Sequence, residues 1–195
     1  RDVSHAGERA VRDAYYLRLA RNLVDDMASL VMLFGATPID ANARAEGRGV
    51  AYSLRNSPAG YARGEYRPYL NLDSVAGHLA GIRRGMRSES DEYRKMGLVR
   101  DGRVVQLNAR VFQKEKEFYA PIRFKRSPSP GEETLAAIER RGVEYMELRF
   151  FDVDPFSQAG VSTDALALAR LFVLDGLFNP SSKRPRKELI GILER

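Results

Sequence analysis

Between Gly7 and Phe34 the apolar residues Tyr16, Leu19, Leu23, Met27, Leu30, Val31 and Phe34 recur at three- and four-residue steps. That spacing predicts one amphipathic helix, with Gly35 as its stop. Val75, Leu79, Ile82 and Met86 fall at i, i+4, i+7 and i+11 behind Asp73, which predicts a second helix with Asp73 as cap. Arg100-Asp101-Gly102-Arg103 sets Asp-Gly between Leu98-Val99 and Val104-Val105, the signature of a two-residue hairpin. Val105, Leu107, Ala109 and Val111 then alternate as in a strand. A second alternating run, 118–125, sets Phe118, Ala120, Ile122 and Phe124 against Tyr119, Pro121, Arg123 and Lys125. Ser129-Pro130-Gly131-Glu132 matches a capping box and predicts a helix over Glu133–Arg140, ended by Gly142.

From Val143 to Val153, Met146, Leu148 and Phe150 alternate with Tyr145, Glu147 and Arg149, so a strand that buries one face would turn Glu147 and Arg149 the same way. Their Cα atoms would lie about 6.6 Å apart. Asp154-Pro155 breaks this strand. Val161 to Phe178 reads as a largely buried helix capped by Ser162 or Thr163 and closed by Asn179-Pro180. A short basic helix from Arg186 to Leu193 follows. There is no internal repeat, and helices between antiparallel strands predict a single α+β unit over residues 1–195.

Composition narrows the function classes. The chain of 195 residues carries 32 Lys plus Arg against 26 Asp plus Glu, a net charge of +6 that favours anionic partners in general. Cysteine is absent, which excludes disulfides, thiolate metal sites and a cysteine nucleophile. The longest strongly apolar stretch, Ala165 to Phe178, contains Arg170 and Asp175 and is shorter than the roughly 20 residues of a membrane-spanning helix. We expect a soluble protein with no membrane partner. No signal peptide is recognisable, and an opening on Arg1 in place of Met reads as the inside of a longer sequence.

A carboxylate aligned with an arginine on one sheet face suits phosphoryl transfer, because Mg²⁺ takes hard oxygen ligands and a phosphoryl group in flight takes a fixed guanidinium. On spacing alone, an ordinary salt bridge between Glu147 and Arg149 is the commoner explanation. Glu144 reads as a strand-end residue. The stretch Ala36 to Pro68 has no sustained period and interleaves Arg44, Arg48, Arg55, Arg63 and Arg67 with Tyr52, Tyr61 and Tyr66. Residues 44–69 could therefore form a basic nucleic-acid-binding module that stacks bases, or a solvated loop. Arg123, Lys125 and Arg126 are open to the same two readings, anion patch or exposed strand end. His5 and His78 have no metal-ligand spacing around them and read as structural or exposed. No phosphate-binding glycine loop, nucleophile elbow or zinc motif occurs.

One resemblance runs through most of these elements. Gly142-Val143-Glu144-Tyr145-Met146-Glu147-Leu148-Arg149, continued by Asp152-Val153-Asp154-Pro155-Phe156-Ser157, resembles the G-I-E-Y-I-E-V-R…D-I-N-P-F-S segment of bacterial glutamate-cysteine ligases of the gamma-proteobacterial type. Gln106-Leu107-Asn108, Glu117 to Arg123 and Lys125-Arg126 are similar to that family's Q-I-N…E-x-Y-A-P-I-R-x-K-R stretch in the same order. Leu33 to Ala36, Ser53-Leu54-Arg55, Val75-Ala76-Gly77 and Ser90 to Tyr93 add further matches.

The resemblance implies an ATP- and Mg²⁺-dependent cytoplasmic enzyme of glutathione biosynthesis. It would join the glutamate γ-carboxylate to the amine of cysteine through γ-glutamyl phosphate. It implies a glutamine-synthetase-like ligase fold, an antiparallel sheet lining an active-site funnel with helices outside. Carried over by position, Glu147 would be a Mg²⁺ ligand and Arg149 would bind ATP phosphates and stabilise the transferred phosphoryl group. Arg55 would hold the amino-acid substrates, and Tyr61 and Tyr119 would shape the cysteine side. Further metal-binding residues of the family precede anything matched after Arg1, so an internal piece of the ligase, inactive alone, is expected.

Overall fold

A computed structural model of the chain describes residues 3–36, 53, 55, 56 and 66–180, and the side chains among them from residue 6 onward. Helix α1 (Val3–Asp25) runs into α2 (Met27–Phe34), α3 is Val75–Gly85 and α4 is Asp91–Met96. Two-residue strands β1 (Val99–Arg100) and β2 (Arg103–Val104) precede β3 (Ile122–Lys125), α5 (Thr134–Arg141), β4 (Tyr145–Leu148) and α6 (Thr163–Phe178). Single turns of 3₁₀ helix lie at Arg67–Tyr69 and Glu115–Glu117. The expected mixture of helices and antiparallel strands is present, the strands forming two separate two-stranded sheets.

The first predicted helix divides at Asp26, whose φ of −88° and ψ of 3° leave the helical basin while its neighbours keep their bonds: Asp26 N–H donates to Asn22 O and Leu30 N–H to Asp26 O. Asp25 and Asp26 are poor helix formers side by side. Burial, then the charges of Asp175 and Asp25, also push the Asp26 carboxyl above its ordinary range. Gly35 closes α2 as expected, in extended rather than left-handed backbone.

Helix α3 buries the predicted stripe Val75, Leu79 and Ile82, but its cap is Ser74, whose hydroxyl accepts from Gly77 N–H, and not Asp73. The hairpin forms in the predicted register, Val99 opposite Val104 and Arg100 opposite Arg103. Asp101 and Gly102 take φ of 51° and 73°, the left-handed pair such a turn demands.

The alternating run 105–111 is not a strand. Neighbouring backbone meets it only at its ends, Val105 N–H donating to Leu98 O, Val111 N–H to Ser88 O and Ser90 N–H to Ala109 O, while side chains take the positions between: Leu107 N–H donates to the Gln113 side chain and Arg110 N–H to Asn108. Helix α5 begins at Thr134, one residue later than predicted. Ser129 and Glu132 close their own turn, while the two leading N–H groups of α5, those of Thr134 and Leu135, donate to the carboxylate of Glu115, nineteen residues upstream and 6% exposed. Arg9 and Arg12 of α1 donate to the last carbonyls of the same helix, those of Glu139, Arg140 and Arg141. Both ends of the α5 dipole therefore meet opposite charge.

The core joins α1, α2, α3, α5 and one face of the β3–β4 ribbon, with Leu23, Leu30, Ile82, Phe118, Ile138 and Phe150 nearly inaccessible. Helix α6 crosses α1 at Gly176, where a Cβ would meet Leu19 at 2.8 Å, and Asn22 donates to the Gly176 carbonyl. Only Ala169 and Gly176 of α6 are buried, whereas Leu166, Leu171, Leu174 and Phe178 are exposed. The expectation of a largely buried helix is thus corrected: Ala165, Leu168, Phe172, Val173 and Leu177 are half-buried against the core, and among the described residues nothing packs on the face that carries the exposed residues. The predicted basic helix 186–193 lies outside the described residues.

Candidate active site

Strand β3 pairs antiparallel with β4, setting Ile122 opposite Leu148, Arg123 opposite Glu147, Phe124 opposite Met146 and Lys125 opposite Tyr145. Arg149 N–H donates to Pro121 O and extends the pairing one step beyond the strand. Because side chains alternate, one face carries Ile122 and Phe124 into the core and the other gathers Tyr119, Arg123, Lys125, Glu147 and Arg149. Strands shorter than predicted suffice, since this register is what brings the cations around one carboxylate.

On that face the Arg149 guanidinium donates twice to one carboxylate oxygen of Glu147, from Nε at 3.0 Å and Nη2 at 2.6 Å. Lys125 Nζ stands 3.6 Å from the other oxygen. Burial works to raise the Glu147 pKa, but the Arg149 bond and the charges of Arg149, Lys125 and Arg123 outweigh it and hold the carboxyl below its ordinary value. The salt bridge is therefore real, and it occupies only one edge of Arg149. Nη1 has no partner among the described residues, so the guanidinium is aimed yet still able to donate.

Tyr119 is the centre on which the predicted residues converge. Arg149 lies 4.9 Å from its ring centroid and Arg55 5.9 Å, both within cation–π range. Arg55 Nε donates to the Tyr119 hydroxyl at 2.7 Å, and Nη1 reaches Phe151 O at 3.3 Å. Arg55, Tyr119 and the Glu147–Arg149 pair, from three separate stretches of sequence, thus form one cluster. Tyr61 lies outside the described residues, as does most of the Arg/Tyr stretch 44–69.

Arg123, open between an anion patch and an exposed strand end, is neither. It is 4% exposed and donates to the carbonyls of Glu115 and Lys116. Burial, then the neighbouring Arg149 charge, lowers its pKa. Glu144 is the strand-end residue expected, its carboxylate accepting from Ser127 N–H. His78 is structural: 1% exposed, between the rings of Phe118 and Phe124, with Nδ1 at 3.1 Å from Asn71 O.

Sequence reasoning missed the support of Arg55. Asp152 accepts from the Ser53 hydroxyl at 2.8 Å and from Ala36 N–H at 3.1 Å, and Ser53 Oγ in turn accepts from the backbone and side-chain amides of Asn56. No periodicity marks these residues; their only signal is that Asp152 and Ser53 each sit inside a family-like motif.

Among the described residues no group of three or more His, Asp or Glu could enclose a metal ion. Glu147, ionised and with one oxygen not in a hydrogen bond to Arg149, fits a hard cation as a single ligand, the mode in which Mg²⁺ is shared with phosphate oxygens and water.

A sheet face with an ionised carboxylate, two half-occupied guanidiniums and an aromatic floor is the kind of site that binds a phosphorylated substrate. A family model described as glutamate-cysteine ligase matches residues 1–194. The chain belongs to that family. Glutamate-cysteine ligases of Clostridium acetobutylicum and Shewanella oneidensis are 33% and 37% identical to it, over 93% and 89% of this chain. The chain spans only 43% and 36% of their lengths. A crystal structure of the Francisella tularensis glutamate-cysteine ligase in complex with AMP superposes with a TM-score of 0.82 at 26% identity, covering 97% of this chain and 42% of that one. Nothing in these likenesses supports the nucleic-acid-binding alternative. Among the described residues no helix is long and apolar enough to cross a membrane.

Proposed function

We propose that this chain carries the phosphoryl-transfer and part of the amino-acid-binding face of a cytoplasmic, ATP- and Mg²⁺-dependent glutamate-cysteine ligase. Its 195 residues would form one α+β unit within a glutamine-synthetase-like fold whose sheet lines a substrate funnel. The observation that carries the reading is the convergence of Arg55 and Arg149 on Tyr119, with Glu147 gripping Arg149, four residues that the family resemblance singles out independently of their geometry. The AMP bound by the Francisella relative supports a nucleotide substrate.

In the reaction, a γ-carboxylate oxygen of glutamate attacks the terminal phosphorus of ATP, the bond to ADP breaks, and γ-glutamyl phosphate forms. The cysteine amine then attacks the γ-carbonyl carbon, expels inorganic phosphate and loses a proton. Mg²⁺, when bound, offsets the charge of the phosphate oxygens, with Glu147 as its ligand from this chain. Arg149, gripped on one edge by Glu147, keeps Nη1 for the oxygens of the transferred group. Because it is pre-aimed, it needs no reorganisation as charge develops. Arg55 presents Nη2, without a partner among the described residues, to a substrate carboxylate. Tyr119 and Tyr61 shape the cysteine side. The metal residues expected from the unmatched part of the family would complete the cation site.

Titration calorimetry of the chain with Mg-ATP tests this. Binding should require the metal and weaken in Glu147→Gln. Binding of oligonucleotides that falls steeply with salt, with no response to Mg-ATP, would instead favour the basic module.

A further inference from the structure

Arg55 sits in a turn with Asn56, and its guanidinium Nε stands 2.7 Å from the Tyr119 hydroxyl. The holding force is a compact polar clamp. Asp152 follows β4 by four residues, and its two carboxylate oxygens take different partners: Oδ1 accepts the Ser53 hydroxyl at 2.8 Å and Oδ2 accepts Ala36 N–H at 3.1 Å, just beyond α2. Asp152 N–H itself donates to Phe34 O at 3.1 Å. Ser53 is 2% exposed, and its oxygen, having given its proton to Asp152, accepts from Asn56 N–H at 3.2 Å and Asn56 Nδ2 at 2.9 Å. Asn56 Nδ2 also reaches Phe150 O at 3.3 Å. Arg55 lies between Ser53 and Asn56, so both flanks of its backbone are tied to 150–152.

We infer that Asp152 is a positioning residue for Arg55: acting through Ser53, it fixes the turn at Arg55 and Asn56 against the end of β4 and so aims the guanidinium at Tyr119. The inference rests on the proposed role of Arg55 in holding an amino-acid carboxylate and adds the device that makes the role possible. A carboxylate suits position 152 because Ser53 Oγ–H and Ala36 N–H both donate to it. An amide there would turn an N–H toward either Ser53 or Ala36, and Ser53 Oγ already accepts two hydrogen bonds. The same carboxylate joins α2 to β4, whose rings Phe34, Phe150 and Phe151 stack within 5.7 Å of one another. A rigid aromatic base therefore underlies the clamp, and the aim of Arg55 is inherited from the core.

The test follows the Arg55 Nε–H in the full 195-residue chain by ¹⁵N NMR, assigned through Arg55→Lys, alongside calorimetric titration with L-glutamate. Solvent-exchange protection of that proton should fall roughly tenfold in Asp152→Asn and in Ser53→Ala, and be retained in Ser53→Thr, which keeps the hydroxyl. The double variant should be no worse than either single one, since both break one relay. Glutamate affinity should follow protection in each variant. Unchanged protection in Asp152→Asn or Ser53→Ala overturns the inference. Should Asp152→Asn not fold, the Ser53→Ala and Ser53→Thr pair decides the same question. A wild-type chain that shows the protected proton, and its loss on breaking the clamp, but binds no glutamate would overturn the substrate role of Arg55 while leaving the clamp intact.

Discussion

At the scale of single residues, Glu147 and Arg149 constrain each other, and their substitutions should separate metal from phosphate effects. Glu147→Gln keeps the shape but removes the charge that Lys125, Arg123 and Arg149 surround. It should raise the Mg²⁺ concentration for half-maximal ATP binding by roughly tenfold, read by titrating the metal at fixed nucleotide. Arg149→Lys keeps the charge but loses the planar fork that bonds Glu147 through Nε and Nη2 while leaving Nη1 to donate. In a full-length ligase of which this chain is proposed to be a part, it should lower kcat by roughly ten- to a hundredfold with little change in Mg²⁺ requirement, measured as phosphate release dependent on glutamate and cysteine. An Arg149→Lys protein with unaltered kcat would remove this residue from phosphoryl transfer.

At the scale of elements, legibility in the sequence depends on whether an element's determinants are local. The Asp101-Gly102 hairpin and the cap of α6 are written within a few residues; the hairpin forms as read, and of the two candidate caps, Ser162 and Thr163, Ser162 takes the position. The α5 cap is not local. Glu115 reaches it across nineteen residues, so the neighbouring Ser129–Glu132 motif misleads by one residue. Alternation at 118–125 and 143–153 locates the two strands and their chemical face correctly, but strand length and the 105–111 run depend on which partner is available, which alternation cannot reveal. The family-like motifs mark Glu147, Arg149, Arg55 and Tyr119; the burial of Arg123 and the Asp152 clamp emerge only when distant segments meet. Glu115 offers the direct test. Glu115→Ala leaves two N–H groups of α5 without their acceptor and removes one of the two carboxylate charges, Glu147 and Glu115, that offset buried Arg123, and should cost about 2–4 kcal/mol in chemical denaturation. Arg94→Gln, which breaks a pair exposed at 64% and 81%, should cost about 0.5 kcal/mol or less.

At the scale of the whole molecule, acid should destabilise this fold in two stages set by different groups. Burial, against a smaller raising effect of the Asn71 carbonyl and with some help from the Arg123 charge, brings the His78 pKa down to about 4 from the ordinary 6.5. The folded state therefore keeps this imidazole neutral while the unfolded chain takes up a proton. Stability is full above about pH 6.5 and drains away as pH falls toward 4, by an upper bound of about 3 kcal/mol. The carboxylates come next. Glu132, held down to about 2 first by Arg141, together with Glu139, Glu144 and Glu147, all lowered, contribute stability above about pH 4.5 that is lost on further acidification. Asp26, raised by burial and by Asp175, works in the opposite sense and softens this second stage. Melting temperatures taken from about pH 8 to about pH 3 should thus be flat to about 6.5, decline to about 4 and then fall more steeply. His78→Leu fills a similar volume and removes the titrating ring. It should cost about 1 kcal/mol at about pH 8 through the lost bond to Asn71 O and nearly abolish the decline between about pH 6.5 and 4. If the variant and the wild type decline in parallel through that window, the first stage belongs to another group.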